Sequence, residues 1–270
     1  MRDIAPKTIE DYSYTDFVGF INQWNTPPGS YTTISKWIQF GEITDSSHVL
    51  ELACTTGLSS REISKRTQCR AFGFDISEKS VQAARSNREK YAPSRNLTYK
   101  VGDGYNITFD QSFSHIVVGA ALGFFPEPNK MLQRTFRWLK DEGKILASPF
   151  YIREPIPNSV QKEFKEVFDI TPTTESYHDI MKRYRGLEIL YQDRNIPVKE
   201  SREEINHYSK SITKRVIDEK NLSTEIGNVI YNRLKEIKEM SNKLREYQGY
   251  TVLVLRKRDA IYPHRYVEKF

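Results

Sequence analysis

The sequence predicts an α/β fold in which a seven-stranded, mostly parallel sheet carries helices on both faces, an antiparallel last strand and a helical lid. Two observations support this prediction. Short apolar runs alternate with helical patterns through residues 45–150, as is typical of parallel strands joined by helices. Beyond residue 150 the pattern changes to prolines and amphipathic helices, which indicates a helical addition to the sheet. A chain of 270 residues is long enough to bury such a core without disulfides.

Seven apolar runs, bounded by polar or turn residues, are the predicted strands. They are His48–Ala53, Ala71–Asp75, Leu97–Val101, His115–Gly119, Lys144–Phe150, Leu187–Tyr191 and Tyr250–Leu255. The first five belong to the alternating pattern, whereas the last two are embedded in the helical addition. We therefore expect the first five to form the parallel part of the sheet.

Helical patterns separate these strands. Ser77 is the predicted N-cap of a helix that runs to about Tyr91. A second helix is predicted from about Asn129 to Leu139, and we expect the turn 141–143 to end it before the next strand. In the second half of the chain, amphipathic patterns predict helices at 160–168, 177–184, 201–216 and 223–244, the third of which opens with a capping box.

These elements divide the chain into four parts. Residues 1–44 are a cover segment with a helix, and residues 45–150 are the core of the sheet. Residues 151–248 hold the lid helices together with the sixth strand near 187–194, and residues 249–270 hold the last strand and a tail. Because no linker of low complexity separates them, we interpret the two late helices as an insertion between the last two strands.

Composition narrows the class of protein and its compartment. The formal net charge is +6, but basic and acidic residues are mixed along the late helices, which disfavours nucleic acid as a partner. The only cysteines are Cys54 and Cys69, without metal-ligand spacing, so no metal site is expected. No apolar stretch reaches the roughly 20 residues of a membrane span, and the N-terminus is charged where a signal peptide is apolar. We therefore expect a cytoplasmic protein.

Small and acidic residues follow the first three predicted strands. The segment Val49–Gly57 is an apolar strand that ends in a turn of small residues and enters a helix. Such a turn brings backbone N–H groups close to a ligand. Asp75 ends the second strand, where a carboxylate accepts hydrogen bonds from a ribose diol, and Asp103 follows the third. The sequence therefore predicts a ligand crevice at the carboxyl ends of these strands.

The segment Val49–Gly57 resembles the first motif of the class I S-adenosylmethionine-dependent methyltransferases. In that family an acid precedes a turn that carries three glycines. Here Glu51 matches the acid and Gly57 the third glycine, whereas Ala53 and Thr55 replace the first two. Both replacements are small enough for the turn, but they tighten the approach of a ligand to the backbone.

Other motifs of the family occur further along the chain, in the right order. Asp75 and Asp103 match its second and third acidic positions. The segment 114–126 is similar to its fourth-strand motif, and the segment 138–146 to its fifth-strand turn, without the usual proline. The resemblance implies a Rossmann-like fold, S-adenosyl-L-methionine as cofactor and methyl transfer to an acceptor. It leaves a homodimer open.

The resemblance also implies a set of cofactor contacts. They are Glu51, Ala53, Cys54, Thr55, Gly57, Asp75, Ile76, Asp103, Gly104 and Gly119. Structural roles stay open for several of them. Glu51 also suits an ordinary strand-end acid, Cys54 a buried filler and Asp103 a plain turn. Asp75 also suits a helix cap, although Ser77 already fills that role.

We expect a cover over the crevice, because methyl transfer needs alignment of the reactants and exclusion of water. Aromatic residues of the cover segment and the lid are predicted to line an apolar substrate pocket, namely Trp24, Tyr31, Tyr151, Tyr177, Tyr208 and Tyr231. The sequence singles out no catalytic base, and His207 and Tyr31 are the candidates that it offers. We therefore predict methyl transfer to a small aromatic or apolar metabolite. The alternatives are an RNA or protein methyltransferase, or a regulator with this fold but without catalysis.

Overall fold

The computed structural model describes residues 4–110 and 112–258, which form one mixed sheet of eight strands. The strands are β1 (His48–Leu52), β2 (Arg70–Asp75), β3 (Leu97–Val101), β4 (Phe113–Gly119), β5 (Leu139–Ala147), β6 (Phe150–Ile152), β7 (Glu188–Asn195) and β8 (Gln248–Arg256). Strands β1 to β5 are parallel in the order β3-β2-β1-β4-β5. Strand β8 runs antiparallel beside β5, and both β6 and β7 pair with β8. The predicted α/β fold with an antiparallel last strand is confirmed.

Helices surround this sheet. They are α1 (Pro6–Glu10), α2 (Tyr14–Phe20), α3 (Ser30–Gly41), α4 (Leu58–Thr67), α5 (Glu78–Tyr91), α6 (Pro128–Trp138), α7 (Asn158–Phe168), α8 (Tyr177–Lys182), α9 (Arg202–Lys220) and α10 (Thr224–Leu244). The predicted caps are present: the Ser77 hydroxyl accepts from the Ser80 N–H, and Ser201 and Glu204 form a capping box. In the described part of the chain, no helix is long and apolar enough to cross a membrane.

The predicted turn at 141–143 is wrong, because these residues lie inside a strand. Helix α6 ends at Trp138, and β5 begins at once, with Leu139 paired to Phe113 of β4. The register then shifts, and Glu142 has a φ angle of 57°, so the segment forms an irregularity in the strand. The fifth strand also ends earlier than expected, since residues 150–152 form the separate β6 against the start of β8. The sheet therefore has eight strands and not seven.

Each face of the sheet buries an apolar cluster. Along β1, Val49 belongs to one cluster and Leu50 to the other, and along β4 Val117 and Ile116 divide in the same way. Side chains alternate between the faces of a strand, so helices on both sides bury nearly continuous apolar runs. Trp37 of α3 packs into the cluster of Val49 and donates its indole N–H to the Ala147 carbonyl at 3.4 Å.

A third apolar cluster joins the N-terminal helices to the late helices. We call α1, α2, α7, α9 and α10 together the cap. Arg215 of α9 donates to the carbonyl of Ile21 at 2.6 Å. Arg233 of α10 donates to the carbonyl of Ile9, and its guanidinium lies 4.5 Å from the centre of the Phe17 ring. The N-terminal helices α1 and α2 thus pack together with α7 and with the two helices between β7 and β8.

Candidate cofactor and substrate site

Four loops meet at one edge of the sheet, because they follow the carboxyl ends of neighbouring parallel strands. Residues 53–57 follow β1, Asp75 ends β2, Asp103 follows β3 and Gly119 ends β4. Strands β1 and β4 are neighbours, yet the chain continues from β1 toward β2 and from β4 toward β5. In open α/β sheets this reversal of strand order leaves a crevice that binds ligands.

The turn between β1 and α4 has the backbone of a glycine turn, although two glycines are replaced. Ala53, Thr55 and Gly57 have φ angles of 45°, 46° and 72°, the left-handed region that favours glycine. Ala53 and Thr55 are half-buried, whereas the Cys54 between them is buried. Burial raises the pKa of the Cys54 thiol well above its ordinary value, so it stays neutral and suits the buried filler considered above.

Gly57 is held in place by an aromatic ring. A Cβ atom at this position would lie 2.6 Å from Cζ of Tyr99. The Tyr99 hydroxyl donates to the Gly57 carbonyl at 3.0 Å. Beside it, Glu51 accepts from the backbone N–H of Ser60 at 3.0 Å and from its hydroxyl at 2.5 Å. Burial raises the pKa of Glu51, although these hydrogen bonds act to lower it. The described hydrogen-bond partners of Glu51 belong to the start of α4.

Asp75 joins the ends of two strands. Its carboxylate accepts from the backbone N–H of Ser77 and from that of Thr55, both at 2.9 Å. The residue is 2% exposed, and burial raises its pKa although the two N–H groups favour the charged form. Asp75 thus fixes the turn after β1 against the end of β2, and the hydroxyl that caps α5 comes from Ser77 instead.

The remaining strand ends offer apolar surface and open backbone. Ile76 is 69% exposed and Val101 is 46% exposed, which is high for large apolar side chains. Asp103 accepts from the Tyr105 N–H at 2.9 Å, so its carboxylate shapes its own loop. Gly104 is buried against Met131, whereas a Cβ at Gly119 would meet no atom within 4 Å. In the described residues, no three His, Cys, Asp or Glu side chains group as metal ligands would.

The structure brings only some of the predicted substrate residues together. Tyr151 is buried with its ring 5.3 Å from that of Tyr177, and Tyr208 is half-buried in the cap. Tyr231 lines a groove of 420 Å³ between α9 and α10. Trp24 packs instead over the guanidinium of Arg61 on α4, with 4.9 Å to the ring centre.

The two candidates for a catalytic role lie on helix surfaces. The exposed Tyr31 ring has Arg66 of α4 above it, at 5.7 Å from the ring centre. His207 is exposed on α9. His115 is buried near the opposite end of β4, where its ring contacts Ser114 and the Gly41 carbonyl, and burial lowers its pKa to about 4.

Sequence reasoning missed an aromatic contact between the cap and the sheet. The ring of Tyr14 in α2 stacks on that of Phe124, just after β4, with centres 6.1 Å apart and an angle of 15°. Phe168 at the end of α7 meets Tyr14 edge-on at 4.9 Å. Burial raises the pKa of Tyr14 to about 12, so its hydroxyl stays protonated. No local sequence pattern pairs residues so far apart in the chain. The only signal in the sequence was the two consecutive phenylalanines after the fourth strand, which could have indicated an aromatic surface there.

Comparisons with known proteins agree with this geometry. A protein-family profile described as a methyltransferase domain matches residues 49–143, from β1 into β5. Among solved structures, MccD protein has a TM-score of 0.71 at 29% sequence identity, over 87% of this chain and 100% of that chain. A SAM-dependent methyltransferase from Geobacter sulfurreducens, solved with S-adenosylhomocysteine, has a TM-score of 0.67 at 15% identity, over 90% of this chain and 98% of that chain. Residues 49–143 thus match a methyltransferase domain, and the chain shares its fold with S-adenosylmethionine-dependent methyltransferases.

One curated relative adds a named activity, over a shorter region. Phosphoethanolamine N-methyltransferase 2 of Caenorhabditis elegans is 25% identical over 157 residues, which are 55% of this chain and 35% of the relative. The chain also spans less than two-thirds of the length of other curated relatives that it matches. The match to a methyltransferase domain therefore covers the parallel strands β1 to β5 and their connecting loops.

Proposed function

We propose that the chain transfers the sulfonium methyl group of S-adenosylmethionine to a small aromatic or apolar metabolite. The observation that carries this proposal is the aromatic contact at the end of β4. Tyr14 of the cap stacks there on Phe124, which is 44% exposed, and Phe168 packs against Tyr14. A substrate between the cap and the strand ends would meet this wall, and flat apolar groups pack well against aromatic rings.

The strand-end residues fit the parts of the cofactor. The adenine has flat aromatic faces, and Ile76 and Val101 offer exposed apolar surface on which such a face can pack. The ribose has two vicinal hydroxyls, and the Asp75 carboxylate is suited to accept hydrogen bonds from them. The open backbone at Gly119 and the turn at Ala53 would take the methionine end. When bound, the cofactor supplies a methyl carbon that bonds to the acceptor's lone pair while the C–S electrons return to sulfur.

The protein's own contribution is alignment and exclusion of water. Asp75 is itself fixed by two backbone N–H groups, so it holds a ribose without reorganising. The cap contacts the segment after β4 through the ring of Tyr14, and an acceptor bound there would be partly shielded from solvent. The proposal assigns no general base: His207 is exposed on α9, and its role and that of Tyr31 stay predictions.

Binding of S-adenosylhomocysteine, measured by calorimetry, tests the cofactor site. We expect binding by the native chain and a clear loss of affinity in Asp75→Asn, since the amide keeps the shape of the side chain but loses its charge. Asp45→Asn is the matched control, because Asp45 is an exposed acid before β1, at the other end of the strands. Absence of binding by the native chain would refute the proposal.

Transfer of a labelled methyl group tests the substrate class. The panel contains phenols, aromatic acids and apolar alcohols, together with phosphoethanolamine, which a curated relative is named for. We expect label in a phenol or another apolar aromatic compound, and a loss of transfer in Phe124→Ala. Label in phosphoethanolamine alone would keep methyl transfer but overturn the apolar substrate class.

A further inference from the structure

Thr56, in the turn of the proposed cofactor site, is anchored through both its carbonyl and its hydroxyl. Its carbonyl accepts from Nη1 of Arg61 and from Nδ2 of Asn87, each at 3.2 Å. Its hydroxyl donates to the carbonyl of Gln23 at 2.7 Å. Because Thr56 is fully buried, these hydrogen bonds fix the backbone on which the turn depends. One residue of the turn is thus connected to α4, to α5 and to the chain before α3.

Residues 21–24, which we call the bridging segment, hold Thr56 and its partners together. The side-chain amides of Asn22 and Asn87 exchange two hydrogen bonds, of 3.0 and 2.8 Å. Trp24 covers the buried guanidinium of Arg61, the same group that donates to Thr56. Three residues of the bridging segment, Asn22, Gln23 and Trp24, therefore contact Thr56 or the residues that bind it.

Helix α9 of the cap also holds the bridging segment. Arg215 of α9 donates through Nη2 to the carbonyls of Ile21, at 2.6 Å, and Asn22, at 3.3 Å. Its Nη1 pairs with Glu219 at 2.8 Å, which orients the guanidinium. Hydrogen bonds from a charged donor are about twice as strong as neutral ones. Docking of α9 therefore restrains the backbone of Ile21 and Asn22. The next residue, Gln23, carries the carbonyl that accepts from Thr56.

We propose that Arg215 is a positioning residue for the cofactor turn, acting through the bridging segment and Thr56. Docking of α9 on Ile21 and Asn22 sets the position of the Gln23 carbonyl and, through it, the conformation of the turn. Because coupling between two sites is reciprocal, a cofactor that orders the turn also strengthens docking of α9 on the bridging segment. The cap would then be held more tightly once the cofactor is bound. This favours binding of the cofactor before the acceptor. This inference rests on the cofactor site proposed above.

A pair of arginine variants separates this coupling from simple loss of cap stability. Arg215→Gln removes the charged donor to the bridging segment. Arg233→Gln is the matched control, because Arg233 also ties a late helix to N-terminal carbonyls, those of Ile9 and Tyr12, which have no described bond to Thr56. With S-adenosylhomocysteine as the probe in calorimetry, we expect about fivefold weaker binding in Arg215→Gln and less than twofold in Arg233→Gln.

Hydrogen exchange provides a second readout that needs no acceptor. In the native chain, S-adenosylhomocysteine should slow amide exchange in residues 21–24 and in α9, and in Arg215→Gln the slowing in α9 should be lost. If Arg215→Gln does not fold, Arg215→Lys takes its place, since lysine keeps one charged donor; we expect about twofold weaker binding in that case.

A double-mutant cycle tests the route. Thr56→Val removes the hydroxyl that donates to Gln23 and keeps the shape of the side chain. In that background, Arg215→Gln should weaken S-adenosylhomocysteine binding by less than twofold, because the connection is already cut. Two independent, multiplying losses would overturn the route, and so would equal losses in Arg215→Gln and Arg233→Gln. If the native chain binds no S-adenosylhomocysteine, the cofactor proposal falls as well; if it binds and Arg215→Gln binds equally, only the coupling falls.

Discussion

Replacing Gly57 by alanine tests the packing that holds the cofactor turn. Two costs add up in this variant. An L-residue at a φ angle of 72° is strained by about 1–2 kcal/mol. The new Cβ would also lie 2.6 Å from Cζ and 2.7 Å from the hydroxyl oxygen of Tyr99, so the ring has to move. Overpacking of this kind costs about 1–3 kcal/mol, and we expect a total loss of about 2–5 kcal/mol in the free energy of unfolding.

Gly119→Ala is the matched control for this substitution. Gly119 also has a left-handed φ angle, 55°, but no atom lies within 4 Å of the place of its Cβ. Its cost should be the backbone strain alone, about 1–2 kcal/mol. Urea unfolding followed by tryptophan fluorescence measures both variants, and the difference between them isolates the contact with Tyr99. Tyr99→Leu in the Gly57→Ala background should recover part of the loss. If Gly57→Ala costs no more than Gly119→Ala, the role assigned to the ring is refuted.

Two further predictions concern titrating groups. Asp75→Asn should weaken S-adenosylhomocysteine binding by about 10- to 100-fold, the value of hydrogen bonds to a charged group. Since burial raises the pKa of Asp75, affinity in the native chain should begin to fall above the ordinary carboxyl range as the pH is lowered; a fall of the same shape in Asp75→Asn would contradict the assignment. His115 has an ordinary pKa of 6.5 when unfolded and about 4 when folded, because burial disfavours its charged form. The contribution of neutral His115 to the free energy of unfolding is therefore fully present above pH 6.5. About 3 kcal/mol of it is lost as the pH falls toward 4. Urea unfolding of native chain and His115→Gln across this range should show converging stabilities, and parallel curves would count against the burial effect.

The positions of most strands follow from the sequence because they depend on local pattern. The predicted third strand, Leu97–Val101, has the observed bounds. The fifth strand does not, because its start depends on a partner that is distant in the chain. Leu139 pairs with Phe113 of β4, which extends the strand backward to the end of α6. Glu142 then takes a φ angle of 57° to restore the register, a conformation that no local pattern of this segment indicates.

The candidate site divides in the same way between local and distant information. Asp75 at the end of β2 follows from the motif, since the strand fixes where its last residue lies. The partner of Glu51 in α4 and the contact of Tyr14 with Phe124 depend on how separate elements pack. Aromatic residues of the cover segment are the least predictable group. Trp24 packs against Arg61 of α4, because an aromatic ring stabilises a buried guanidinium.

The replaced glycines of the turn predict a stabilising substitution. Ala53 has a φ angle of 45° and a half-buried side chain. Ala53→Gly removes about 1–2 kcal/mol of strain and adds about 0.5–1 kcal/mol of chain entropy to the unfolded state. We therefore expect a net gain of up to about 1.5 kcal/mol in the free energy of unfolding. Ala92→Gly is the control, because Ala92 has a φ angle of −150° and is 4% exposed, so glycine relieves no strain there and should destabilise by about 1 kcal/mol.

The sign of this change in Ala53→Gly tells whether the turn is strained or merely unusual. A gain measured by urea unfolding means that strain is stored at Ala53 and held by contacts elsewhere. The contacts available for this are the three hydrogen bonds of Thr56, which join the turn to Gln23, Arg61 and Asn87. The gain should then shrink in Thr56→Val, because a turn that has lost one of those bonds can already relax. A loss as large as that of Ala92→Gly would mean that the left-handed backbone costs nothing here, and that Thr56 anchors an unstrained turn.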